Sequence, residues 1–113
     1  MSTPSVDRRI ARSRALHQVV AGKIRQHPDQ ALALAYRQLE RIGQDPHARY
    51  YVMEWRKLLQ GPLEEVCRLL AEDRSEYADA MRKMSPFVGL LTTAEREAIY
   101  RRYAADVVKP YAP

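Results

Sequence analysis

Glycine and proline punctuate this chain at its joints and leave long stretches between them unbroken. The joints are His27-Pro28, Gly43 with Asp45-Pro46, Gly61-Pro62 and Ser85-Pro86. Proline disfavours helix at the residue before it and fits the first position of a new one. Between joints the apolar residues recur at spacings of three, four and seven, and the alternation of a half-buried strand is absent. A chain of 113 residues is long enough to bury one core without disulfides or metal. The expected class is therefore all-α: a compact bundle of five to six short helices in a single domain over 1–113, frayed at 1–6 and 109–113.

The first helix is expected from about Val6 to Gln26, with Ile10, Leu16, His17, Val20 and Ile24 inward. Gly22 weakens it by roughly 1 kcal/mol relative to alanine, so a close approach of a neighbour is expected there. The second helix turns Leu32, Ala35, Tyr36, Leu39 and Ile42 inward, and Ala31, Ala33 and Ala35 give it a slim surface. Asp45 caps the restart, with Pro46 at the first position. The third helix holds Tyr51, Val52, Trp55, Leu58 and Leu59, with Trp55 at the centre of the core. Leu63, Val66, Cys67 and Leu70 line the fourth. Asp73 and Glu76 have capping-box spacing and start a fifth, which turns Tyr77, Ala80, Met81 and Met84 inward. The fourth and fifth are alternatively one helix. Thr92 and Glu95 form a better capping box. The helix they open buries Ile99, Tyr103 and Val107, carries Tyr100 alongside and ends at Pro110.

Charge narrows the function classes. The net charge is +5, and residues 1–28 account for all of it: Arg8, Arg9, Arg12, Arg14, Lys23 and Arg25 stand against Asp7 alone. A basic first helix points to an acidic partner, either a protein or the phosphates of a nucleic acid. Arg8, Arg9, Arg12 and Arg14 are the candidate contacts, since a guanidinium matches carboxylate and phosphate geometry. No apolar run is long enough to span a bilayer and the basic N-terminus lacks an apolar h-region, so the expected location is cytoplasmic.

Catalytic patterns are missing. His17, His27 and His47 are scattered, without a carboxylate or cysteine at metal-ligand spacing. There is no glycine-rich phosphate loop and no nucleophile elbow. Cys67 lies on an apolar stripe and is expected to be a small buried hydrophobe. No catalytic residue, metal or cofactor is expected, and the reading is of a non-enzymatic protein.

One connection is unusual. Loops are normally polar and superficial, yet "SPFVGLL" places Phe87, Val88, Leu90 and Leu91 between two helices. They either tuck under the bundle or present an apolar anchor to a partner.

Three stretches carry a resemblance: "RSRALHQVVAGKI", "EWRKLLQGPLEEVCRLLAED" and "MRKMSPFVGLLTTAEREAIYRRY". Together they resemble a small all-helical bacterial module over about residues 12–103. In that module a Leu-His pair opens the first helix, a Trp-containing helix precedes a "GPLEE" turn, and a Ser-Pro-Phe-small-Gly element leads into the last helix. Val88 stands where the module usually has alanine. The module occurs alone or behind helix-turn-helix domains. It looks like the antitoxin or regulator half of toxin–antitoxin pairs, with nucleotidyltransferase-like toxins among the partners. The resemblance implies no catalytic residues. It implies a protein that neutralises a co-encoded toxin by direct binding; taken with the charge concentration and the apolar segment, that reading makes Phe87, Val88, Leu90 and Leu91 the apolar anchor and sets the first-helix arginines against acidic groups. The alternatives are a small nucleic-acid-binding regulator using that helix, or a mobile-element inhibitor of a host defence complex.

Overall fold

A computed structural model describes residues 5–108, with side chains from 8 to 104. Six α-helices follow in order: α1 (Ser5–Gln26), α2 (Pro28–Ile42), α3 (Arg49–Gln60), α4 (Leu63–Ala71), α5 (Glu76–Lys83) and α6 (Thr93–Val108). Single 3-10 turns lie at Pro46–Ala48 and Val88–Leu90. No strand occurs among the described residues. The all-α bundle is as expected, and α4 and α5 are separate helices. The inward side chain expected at Val107, the stop at Pro110 and, of the frayed ends expected at 1–6 and 109–113, residues 1–4 and 109–113 lie outside the described part, while residues 5 and 6 already belong to α1.

The boundaries follow from local chemistry. Pro28 opens α2, and the Asp45 carboxylate accepts the His47 backbone N–H at 3.0 Å to start the turn before α3. At α6, Thr92 N–H donates to the Glu95 carboxylate at 2.8 Å and Glu95 N–H donates to the Thr92 hydroxyl at 3.1 Å. The same carboxylate takes Lys23 of α1 at 2.7 Å, which ties the start of α6 to the first helix. Lys23 first, and then the Thr92 backbone bond, hold the Glu95 carboxyl below its usual range.

α1 is the hub. It packs against α2, α4, α5, α6 and the Val88–Leu90 turn. Its buried residues are Leu16, His17, Val20, Ala21 and Ile24. Trp55 is fully buried, donates its indole N–H to the Met81 carbonyl at 3.1 Å, and meets Phe87 edge-on with ring centroids 5.8 Å apart. That pair joins α3, α5 and the connection before α6 in one core.

Three details differ from the sequence expectation. The α5 cap is Ser75, whose hydroxyl accepts the Ala78 N–H at 3.1 Å, while Asp73 accepts from Ser75 N–H at 2.9 Å in a turn ahead of it. α5 consequently buries Ala78, Met81 and Arg82, and Tyr77 stays 40 % exposed, where its hydroxyl donates to Glu54 at 2.9 Å. In α2 the inner line is Ala31, Ala35 and Leu39, with Tyr36 37 % exposed and Ala33 on the outer face. Alanines one turn apart let the neighbouring backbone come close, and a tyrosine does not fit that face.

Gly22 is the third. Nothing lies within 4 Å of where its Cβ would stand, so no neighbour approaches there. Gly22→Ala should therefore stabilise the fold by about 0.5–1 kcal/mol through helix propensity and a less flexible unfolded chain. A higher urea midpoint at unchanged slope is the expected readout. A lower midpoint would mean that the site is crowded.

Candidate functional site

The two sets of candidate residues fare differently. Phe87 and Leu91 are buried core members, so they do not form a presented anchor. The cause is local. Pro86 is buried too, and the Ser85 hydroxyl accepts the Phe87 N–H at 3.2 Å, which turns the ring inward onto Trp55. Val88 and Leu90 are half-buried against the same core. Among the first-helix arginines, Arg14 is engaged within the protein. Its Nε and Nη2 donate to the Asp79 carboxylate at 3.1 and 2.9 Å. Arg8 and Arg12 are half-buried and Arg9 is exposed.

α1, α5, α6 and Val88 enclose a cleft of about 380 Å³. Its rim carries Arg9 and Arg12 from α1 and Lys83 from α5. The Arg12 guanidinium lies 4.6 Å over the ring of Tyr100, which holds it in place by a cation–π contact. Among the described residues, none of these three cations has a carboxylate within ion-pair distance. Ile10, Leu16 and Val88 supply apolar wall.

The floor is built from buried polar groups. Arg82 is 2 % exposed and donates to the carbonyls of Leu69 and Leu70 at 2.7 and 3.2 Å. These are last-turn carbonyls of α4, which have no partner inside their own helix. A guanidinium there satisfies them and faces the negative end of the helix dipole. Arg82 also bonds Asp79 within α5, so Asp79 takes two guanidiniums, and the one from Arg14 ties α1 to α5. Burial alone would raise the Asp79 pKa; the bonds from Arg14 and Arg82 outweigh it and hold the carboxyl below its usual range.

His17 completes the floor at 2 % exposure. Its Nδ1 lies 2.8 Å from the Ser13 carbonyl. A carbonyl only accepts, so Nδ1 carries the proton and Nε2 presents a lone pair. Burial, with Arg82's charge adding to it against the opposing Ser13 bond, lowers the His17 pKa from 6.5 to about 4. The ring is neutral at pH 7. A histidine pKa depressed on folding adds stability that is complete above the unfolded value and is lost as pH falls toward the folded one. The shift from 6.5 to about 4 corresponds to roughly 3 kcal/mol lost over that window. Urea denaturation at pH 7 and pH 4.5 should show most of this loss. His17→Leu should reduce the slope in that range, leaving the smaller contribution of the carboxylates held below their usual values, Glu54, Glu64, Asp73, Asp79 and Glu95, which grows as pH nears 4.5. An equal slope in the variant would refute a neutral buried His17.

Cys67 is buried with its Sγ 3.8 Å from the Ala21 carbonyl, and burial pushes its thiol pKa up, against nucleophilic use. Among the described residues, no three His, Cys, Asp or Glu side chains group to hold a metal ion. No described helix is long and apolar enough to cross a membrane. Arg82, Lys83 and Asp79 were not candidates on sequence grounds. Their one signal is the Asp79/Arg82 spacing of three on a helix, which pairs opposite charges on one face. No family model, curated protein or solved structure matches the chain.

Proposed function

We propose that this chain is a non-enzymatic interaction protein of the cytoplasm, an antitoxin that neutralises a co-encoded bacterial toxin by direct binding. The observation that carries the binding role is the α1–α5 rim, where Arg9, Arg12 and Lys83 stand together without an ion-paired carboxylate among the described residues. A basic rim of this kind fits acidic groups on a partner and speeds encounter with it. The toxin reading is supported by the resemblance in "GPLEE" and "SPFVG". The apolar part of the contact falls to the half-buried Val88 and the exposed ring of Tyr100, in place of Phe87 and Leu91. Bound in this way, the chain would cover carboxylates in the toxin's active or substrate site.

Coexpression with the product of the adjacent gene tests this reading. Relief of toxicity and a complex that survives gel filtration are expected. Arg9→Glu with Arg12→Glu should weaken that complex by about 100-fold or more, since reversed charges repel acidic groups. A complex indifferent to both reversals, or no complex, would remove the proposal. Direct nucleic-acid binding is the second reading, and it loses Arg14 to the Asp79 pair. A salt-titrated mobility shift dependent on Arg8, Arg9 and Arg12 would favour it instead.

A further inference from the structure

The cleft between α1, α5 and α6 combines an apolar wall with a cationic rim, and only part of its lining is open to a partner. Leu16, His17 and Arg82 are buried, so they close the floor and meet no ligand. The open lining includes Ile10, Val88 and the ring of Tyr100, with Arg9 and Arg12 on the α1 side and Lys83 on the α5 side. Among the described residues the lining holds one carboxylate, Asp79. Arg14 engages both of its oxygens and Arg82 one of them, so two guanidiniums offset its single charge. The three rim cations have no such offset among the described residues.

An inorganic anion would use the rim and leave the apolar wall bare. A nucleic-acid strand would bring phosphates to the rim, but its bases stack on open aromatic faces. Here Arg12 covers a face of Tyr100 at 4.6 Å, and His17 is buried. An apolar side chain flanked by carboxylates uses both parts of the cleft. Its burial removes wall and ligand from water together, and a guanidinium takes a carboxylate in a two-bond fork. About 380 Å³ has room for a leucine or phenylalanine side chain and its flanking backbone.

We propose that the cleft docks an acidic peptide segment of a protein partner. One leucine-sized side chain packs against Ile10, Val88 and Tyr100, and carboxylates on either side of it meet Arg9, Arg12 and Lys83. The inference rests on the reading that this rim meets a protein, and it holds whether or not that protein is a toxin.

NMR titration of the purified chain at low salt tests it. The probe is the end-blocked peptide Gly-Ser-Glu-Glu-Leu-Glu-Glu-Ser-Gly, beside a control with serine in place of leucine and a short oligothymidylate. Saturable binding of the leucine peptide below about 1 mM is expected, with the Ile10 and Val88 methyl resonances shifting. The serine control should bind about tenfold more weakly, since it leaves the apolar wall uncovered. Arg12→Gln and Lys83→Gln lie at the rim, outside the core. Each should weaken the leucine peptide about threefold to tenfold while leaving the thermal melt near wild type. Oligothymidylate should bind less tightly than the leucine peptide. The proposal is overturned by no saturation, by equal affinity for the leucine and serine peptides, by affinity unchanged in both variants, or by tighter binding of oligothymidylate, which would favour a nucleic-acid partner. Peptide binding without any complex with the adjacent gene's product would remove the toxin reading and keep this one. A complex that forms while the two peptides bind alike would do the reverse.

Discussion

Phe87→Ala should destabilise the protein by about 3–5 kcal/mol, the cost of removing a buried aromatic and leaving a cavity. The ring is fully buried and packs edge-on against Trp55, so truncation strips a face from the largest core side chain. The surrounding elements have little freedom to collapse inward. Trp55 is fixed by its bond to the Met81 carbonyl, and Pro86 is itself buried. A lower urea midpoint at wild-type slope is the measurement. Were Phe87 an anchor offered to a partner, the isolated chain would keep its stability within about 0.5 kcal/mol, as exposed sites do. That outcome would reverse the assignment of the 85–91 connection to the core. Val88→Ala is the companion measurement. Val88 is half-buried and lines the cleft, so its loss should cost far less stability.

Arg82→Met is expected to cost a similar amount, about 3–5 kcal/mol, by a different route. Volume is roughly kept, so a cavity is not the cause. The loss is electrostatic: the Leu69 and Leu70 carbonyls at the end of α4 are left in the interior without a donor, and Asp79 keeps only Arg14. Buried acceptors left unsatisfied each cost about 1–3 kcal/mol. Chemical denaturation at pH 7 is the test. A cost under about 1 kcal/mol would mean that water replaces the guanidinium without penalty. If the loss is as large as expected, the cleft floor is a structural requirement of the bundle.

The helices were legible because their boundary signals are local. Proline at a first turn, Asp45 as a cap and the Thr92/Glu95 exchange each act within four residues, so the sequence shows both partners. Trp55 was legible as the core centre by size and periodicity. What escaped was set by distant partners. Tyr77 lies on an apolar spacing, but its hydroxyl finds Glu54 on α3 and stays at the surface. Arg82 reads as a surface cation until α4 ends beside it. Arg14 belongs to a basic run, yet Asp79, far along the chain, claims it. The cleft itself exists only once α1, α5 and α6 are side by side, so no local pattern marks it. Composition does not say which way the Phe87 ring faces, so core and anchor are equally compatible with the sequence there.

The hub position of α1 bears on how the chain is made. α1 leaves the ribosome before α4, α5 and α6, which cover much of its apolar stripe. At 5–20 residues per second, roughly 4–15 s separate the synthesis of Gln26 from that of Tyr103. Until α4 is complete at Ala71, roughly 2–9 s after Gln26, α2 is the main neighbour that the apolar stripe of α1 has. The nascent chain therefore passes through a long window in which its first helix is a sticky basic amphipath. Chaperones, or a partner already folded nearby, have their best access to it during that window.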